Sequence, residues 1–406
     1  MSQQPLSPLA PSPHSLSPQV SRFIDVARWI AALAVLFTHV EYNSLVRLAE
    51  MPADTRGPLA YAAWLFYGFA HQAVVVFFVL SGFLVGGGAL KAARAGKPFL
   101  TNYLVDRTTR IYVVLLPVLL VTALLDAAGR SLFADTGVYD LPEFANRSGA
   151  VEFWANVFNL QDTFFKYFGT NSALWTLAHE YWYYVAFALL IMPFAPAYSP
   201  RARTIGFVAG VAITVLMSWT LSYHLFGFAL WGLGVVAARL TKPLVQRRAL
   251  AVGVFLAASI GLRLFVRYSL IEVWWIGGLA DAMIALLFAN LLLTLRFDAK
   301  PIWRWCEWPV HRALSDFSYS LYALHMPVVV FLCAAAQHYL GFGFRTAPTT
   351  AAHWLAFAGV FMAAIGASWA FSRVTEAKTD RVRRFSRNLF NDARADAQVT
   401  GAPAKG

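Results

Sequence analysis

The chain predicts an all-α, polytopic integral membrane protein, and three observations carry that expectation. Of 406 residues, 59% are hydrophobic and only 13% are charged, against about 25% charged in soluble domains. Mean hydropathy is +0.55, too apolar for a soluble surface. The apolar residues gather in runs near the roughly 20 residues that cross a bilayer as a helix. The alternation of roughly ten-residue units that marks a membrane β-barrel does not recur.

Residues 1–21 open with MSQQPLSPLAPSPHSLSPQ, rich in Pro and Ser and without basic residues. It does not read as a cleaved signal peptide; it reads as a disordered cytoplasmic tail, with the first helix expected to be its own insertion signal. Residues 22–376 read as one transmembrane domain of about ten spans. They fall at roughly 23–42, 68–90, 108–126, 173–195, 203–221, 223–239, 249–267, 272–294, 314–336 and 352–372. Residues 377–406 read as a basic cytoplasmic tail, helical near the membrane and disordered beyond it.

Loop charge tests the count. Lys91, Arg94, Lys97, Arg107 and Arg110 follow span two, and Arg201 and Arg203 follow span four. Lys242, Arg247 and Arg248 follow span six; Arg296, Lys300 and Arg304 follow span eight; Lys378, Arg381, Arg383 and Arg384 follow span ten. Ten spans put all five groups on one side and the acidic loop at about 127–172 on the other. The positive-inside rule then places both termini in the cytoplasm of a cell (inner or plasma) membrane protein. The net charge of +12 reflects these loops rather than nucleic-acid binding. Cys306 and Cys333 are far apart, so neither a disulfide framework nor a metal site is expected. No internal repeat is visible, which speaks against an inverted-repeat transporter.

Ionisable residues inside spans are costly and mark function. Arg28 and His39 lie in FIDVARWIAALAVLFTHV, eleven residues apart. At 100° per residue they share a face, about 16 Å apart along the axis, and Asp25 one turn earlier joins them. A histidine moves protons near neutral pH, while an arginine suits a fixed or developing anion. Asp25 either holds Arg28 or forms a simple i,i+3 pair. Ser81 and Gly82 interrupt the apolar run FFVLSGFLVGGG; close helix packing through small residues is the plainer reading, a cavity-lining serine the sharper one. Arg107 and Arg110 sit one turn apart at the cytoplasmic mouth of span three, either as a positive-inside anchor or as a phosphate clamp.

Glu180 sits in LWTLAHEYWYYV among Trp175, Tyr181, Trp182, Tyr183 and Tyr184. The rings alone suit a membrane interface; with a carboxylate they also suit a sugar. His179 either joins that group or faces outward. Ser318, Tyr322 and His325 share a face of SYSLYALHMP, and Pro327 marks a broken or kinked helix. Asp281 is one more acid inside a span.

Five segments in this order, DVARWIAALAVLFTHV, FFVLSGFLV, DRTTRIY, LWTLAHEYWYY and SYSLYALHMP, resemble the acyltransferase-3 family of integral membrane acyltransferases. The resemblance runs from about 22 to 376. It implies about ten membrane helices and transfer of an acyl group, often acetyl from acetyl-CoA, onto extracytoplasmic glycans. Acyl-CoA is then a co-substrate, with no bound cofactor and no metal, and the partners are a glycan or sugar acceptor and the bilayer. Arg28 and His39 match the family's Arg–ten–His signature, Ser81 and Gly82 its small-residue motif, Arg107 and Arg110 its arginine pair, and Glu180 its Trp–Ser/Thr–Leu–x–x–Glu acid. Two departures stand out: Tyr181 replaces a second acid found in many members, and His179 replaces a common Val. No hydrolase-like domain follows span ten.

These readings give an expectation for each residue. His39, with Arg28 and Asp25, performs the catalysis. Arg107, Arg110 and Ser81 bind the acyl donor. Glu180, Trp175, Tyr322 and His325 bind the acceptor. The alternative is a proton-coupled transporter in which Asp25, Arg28, His39 and Asp281 form a relay.

Overall fold

The computed structural model describes residues 17–220, 223–265 and 274–399. Most of the expected N-terminal tail lies outside these residues, as do 400–406 of the C-terminal tail and the edges of the spans expected at 203–221, 249–267 and 272–294. Apart from two isolated bridges, Leu45 with Thr346 and Gln161 with Phe165, the regular structure of the described residues is helical.

Helix α1 runs Pro18–Ser44. It begins earlier than expected because Ser17 caps it, its side chain accepting the Val20 N–H at 3.3 Å, and Pro18 occupies the first turn. Helices α2 (Pro58–Tyr67), α3 (Ala70–Ser81) and α4 (Gly87–Arg94) form one long apolar stretch, with a π-helical turn at Gly82–Gly86 joining the last two. Then come α5 (Leu100–Leu132), α6 (Ala150–Val157), α7 (Trp175–Leu190), α8 (Pro200–Met217) and α9 (His224–Arg239). The chain continues with α10 (Arg248–Phe265), α11 (Trp274–Phe297), α12 (Pro309–Ser315), α13 (Ser318–Leu340), α14 (Ala351–Val374) and α15 (Thr379–Val399).

Seven stretches among the described residues are long and apolar enough to cross a membrane: Pro18–Ser44, Pro58–Arg94, Leu100–Leu132, Pro200–Met217, Ile276–Phe297, Ser318–Leu340 and Ala351–Leu389. The other three expected spans fall on α7, α9 and α10. Helices α7 and α9 have 16 residues each, about 24 Å, short of a hydrocarbon core of about 30 Å. Helix α10 stops where the described residues stop.

Side-chain bonds show how the helix ends are paired. Arg22, near the start of α1, pairs with Glu307 before α12. Asp106, near the start of α5, pairs with Arg387 of α15 at 2.5 Å, and the Tyr198 hydroxyl after α7 accepts the Phe99 and Leu100 N–H groups at 3.0 Å. At the other face, Arg345 and Thr346 after α13 donate their amides to Asn43 and Ser44 at the end of α1, at 2.8 and 3.0 Å. The guanidinium of Arg263, late in α10, binds the Trp64 and Leu65 carbonyls of α2. The segments before α5 and after α7 thus share one face with α15.

Two local features place the site. A Cβ on Gly82 would lie 1.8 Å from the Trp231 carbonyl oxygen, and one on Gly234 would lie 2.1 Å from that of Val79. The glycine run thus lets α3 and α9 touch backbone to backbone, the plainer of the two readings of that motif. Of the broken or kinked helix expected at Pro327, the break does not occur: α13 continues through it. Proline removes the N–H that the Ala323 carbonyl would receive, and the Asn171 side chain donates to that carbonyl instead, at 2.9 Å.

Candidate active site

A cavity of about 800 Å³ opens between α1, α3, α5, α7 and α13. Lys97, Asp106 and Arg107 lie at its mouth on the basic-loop face. Further in are Arg28, Arg110, Ser81, Glu180 and Tyr184; Thr176 and Tyr322 line it too. Six of the ten side chains picked from sequence line it, Arg28, Ser81, Arg107, Arg110, Glu180 and Tyr322, and they do not serve it alike.

Arg28 lines the cavity and makes no hydrogen bond or ion pair. Asp25 does not hold it: its carboxylate accepts the Ser315 hydroxyl at 3.2 Å. Arg107 is likewise without an ion pair, and its buried Nε has no partner. Arg110 differs. Its Nη2 donates to Glu376 Oε1 at 2.6 Å, and Glu376 Oε2 accepts both the amide and the hydroxyl of Ser320 at 2.9 Å. The Arg110 guanidinium also covers the Tyr319 ring at 5.0 Å. The two arginines of the expected clamp are therefore one unpaired cation and one pinned to the helix junction. Ser81 is a wall residue: Trp231 Nε1 donates to its oxygen at 3.0 Å, Ser81 bonds Tyr184 at 3.1 Å, and the Tyr184 hydroxyl donates to Glu180 at 2.6 Å.

Beyond Tyr322 lies a pair of histidines. The Tyr322 ring meets His325 edge-on with centroids 6.0 Å apart, and Tyr322 and Thr176 share a hydroxyl bond of 2.5 Å. His325 Nδ1 lies 3.0 Å from the Leu321 carbonyl and its Nε2 lies 3.0 Å from His39 Nδ1, which is 2.9 Å from the Val35 carbonyl. Carbonyls only accept, so Nδ1 of each histidine carries a hydrogen; that of His325 goes to Leu321, and that of His39 is shared between the Val35 carbonyl and His325 Nε2. This arrangement leaves His39 Nε2 as the basic nitrogen, free of any protein partner. His325 is fully buried, while His39 keeps partial access.

A family model described as an acyltransferase domain, that of the acyltransferase-3 family, matches residues 21–373. The chain belongs to the acyltransferase-3 family. No curated protein and no solved structure matches it.

In this acyltransferase-3 protein, several ionisable side chains group elsewhere. His179 does not face outward; it is fully buried, with Nε2 2.9 Å from Asp162 and Nδ1 2.9 Å from His224. Asp281 accepts from His71 at 2.8 Å and from the Tyr223 hydroxyl at 2.6 Å. Trp175 packs against His179 and Tyr223 and is absent from the cavity lining that holds Glu180. Asp25, Arg28, His39 and Asp281 make no hydrogen bonds with one another. Sequence reasoning missed His71, His224, Thr176, Asp162 as a site residue, and Glu376. Asp162 is a loop residue and the others are polar residues near span ends, where an exposed or interfacial position is the ordinary explanation; only its partner distinguishes each.

Proposed function

We propose that this protein moves an acyl group, most simply acetyl from acetyl-CoA, onto a hydroxyl of a cell-envelope glycan across a cell membrane. The observation that carries the reading is the cavity of about 800 Å³, which opens beside basic loops and closes next to the His39–His325 pair. Its size is toward the upper end of ligand pockets, roughly 300–1,000 Å³. In this reading ten helices cross the bilayer, the short α7 and α9 and also α10 included, and both termini and the basic loops are cytoplasmic.

The donor enters from the loop face. Arg107 and Lys97 meet its phosphates. Arg28 stands about 16 Å from His39 along α1, too far to act on the same carbonyl, so it holds an anionic part of the donor rather than the reacting oxygen. Arg110, occupied by Glu376, shapes the wall. His39 Nε2 takes the proton of the acceptor hydroxyl as its oxygen attacks the thioester carbonyl. The C–S bond then breaks, and the thiolate recovers that proton. Of the two hydroxyl hydrogens on Thr176 and Tyr322, their mutual bond uses one; the other is placed to donate to the carbonyl oxygen as it gains charge. His325 keeps His39 in the productive tautomer, and Glu180 with Tyr184 holds the donor's polar arm.

The test is acyl transfer from labelled acetyl-CoA to envelope glycan extract in proteoliposomes. A positioned general base contributes about 10²–10⁴-fold, so His39→Ala loses that much rate while remaining inserted and folded. Normal rates in that variant would remove His39 from the mechanism. Uptake of glycan or proton without acyl transfer would favour a transporter.

A further inference from the structure

The face on which α7 and α9 begin carries a second, open cleft of about 460 Å³, walled by Asp162, Trp175, Thr220 and Tyr223. Two relays end on its walls. In one, His224 Nδ1–H donates to His179 Nδ1 at 2.9 Å, and His179 Nε2–H donates to Asp162 Oδ2 at 2.9 Å. In the other, His71 and the Tyr223 hydroxyl both donate to Asp281 Oδ2, at 2.8 and 2.6 Å. The Trp175 ring meets His179 and Tyr223 edge-on, at 5.6 and 5.7 Å. His179, His224 and Asp281 are buried in apolar helices, a costly arrangement, and the transfer chemistry uses none of them. What they accomplish is to hold one carboxylate and two rings in fixed relation.

The functional groups left over define a ligand. Asp162 spends Oδ2 on His179; its Oδ1 makes no hydrogen bond, and the side chain is 42% exposed. Its backbone is left-handed, with φ +66, a conformation that aspartate adopts more readily than most residues. Tyr223 has spent its hydroxyl on Asp281 and offers its ring. Trp175 offers its ring and an indole N–H that makes no hydrogen bond. Among the described residues the cleft lining thus contains two rings, the free Asp162 oxygen, the Trp175 indole N–H and the Thr220 hydroxyl, and no cation. A carboxylate or phosphate ligand would be repelled by Asp162, and a purely apolar one would leave Asp162 without a partner. A hydroxyl-rich ring with an apolar C–H face satisfies all of them.

We propose that this cleft binds an uncharged pyranose unit of the acceptor. The proposal rests on the glycan-acceptor reading above. Trp175 precedes Thr176, whose hydroxyl bonds Tyr322 beside His325, so the cleft and the histidine pair border the same first turn of α7. It also gives Trp175 an acceptor role separate from Glu180, which faces the donor cavity.

The experiment is saturation-transfer NMR on the full chain in nanodiscs, with the methyl pyranosides of glucose, galactose, mannose and rhamnose. At least one sugar receives saturation at its ring C–H protons. Trp175→Ala weakens that sugar about 3–10-fold, the scale of one lost stacking partner. Asp162→Asn, which keeps a side-chain oxygen for His179, weakens it comparably and guards against a folding artefact in the tryptophan variant. Arg201→Ala, exposed at the start of α8, binds as wild type. No saturation of any sugar, or unchanged binding in both cleft variants, overturns the proposal. Sugar binding without acyl transfer defeats the transferase reading alone; acyl transfer with cleft variants unaffected in both binding and acceptor KM defeats the cleft alone.

Discussion

Replacing Glu376 by Met tests whether Arg110 is part of the scaffold. The Glu376 side chain is 4% exposed and that of Arg110 29%, so the pair is largely desolvated. Breaking such a pair by removing one partner costs about 3–5 kcal/mol; the partial exposure of Arg110 argues for the lower figure, about 3 kcal/mol. The Ser320 amide and hydroxyl also lose their acceptor, adding about 1–2 kcal/mol. Glu376→Met should therefore destabilise the protein by about 4–5 kcal/mol. Arg110→Met combined with Glu376→Met removes the orphaned charge and recovers about 3 kcal/mol, leaving only the Ser320 loss. Unfolding in mixed micelles with increasing SDS, followed by near-UV circular dichroism, gives both values. A Glu376→Met protein as stable as wild type, or a double variant no more stable than the single one, would refute the reasoning.

Other perturbations separate the remaining roles. Arg107→Ala should raise the KM for the acyl donor about 10–100-fold, the range of one charged hydrogen bond, with the SDS unfolding midpoint unchanged, because Arg107 has no ion pair to lose. Gly82→Ala should destabilise by at least about 1–3 kcal/mol, since the Trp231 carbonyl that the new Cβ meets at 1.8 Å is backbone; a thermal melt in detergent reads it. Cys306 lies outside the spanning stretches, and burial, with Glu307 second, pushes its thiol up to about 11. Iodoacetamide at pH 8 should modify it about 10²-fold more slowly than a free thiol, with the rate climbing toward pH 11, because the thiolate is the nucleophile.

Much of the site was legible in one helix. Arg28 and His39 share a face because helical period is a local property, and their separation of about 16 Å follows from counting alone. The meaning of that separation needed the cavity: Arg28 lines it and His39 does not. Asp25, on the same stripe, turned to Ser315, 290 residues away. The expected clamp divided in two because Glu376, from the far end of the domain, chose Arg110 over Arg107.

The sequence by itself determined the class, the family and the principal ionisable residues. Hydropathy reports each segment's own exchange with lipid, and motif spacing reports which side chains a single helix aligns. Tertiary structure alone decided the partners. Pro327 could not be known to sit in an unbroken helix until the Asn171 amide, 152 residues distant, reached the Ala323 carbonyl. His325 could not be known as the partner of His39, nor His179 as the link between His224 and Asp162, because such pairs depend on which helices pack together. Hydrogen bonds are satisfied in space rather than along the chain, and in an apolar interior the nearest available polar group, whatever its number, settles each residue's role.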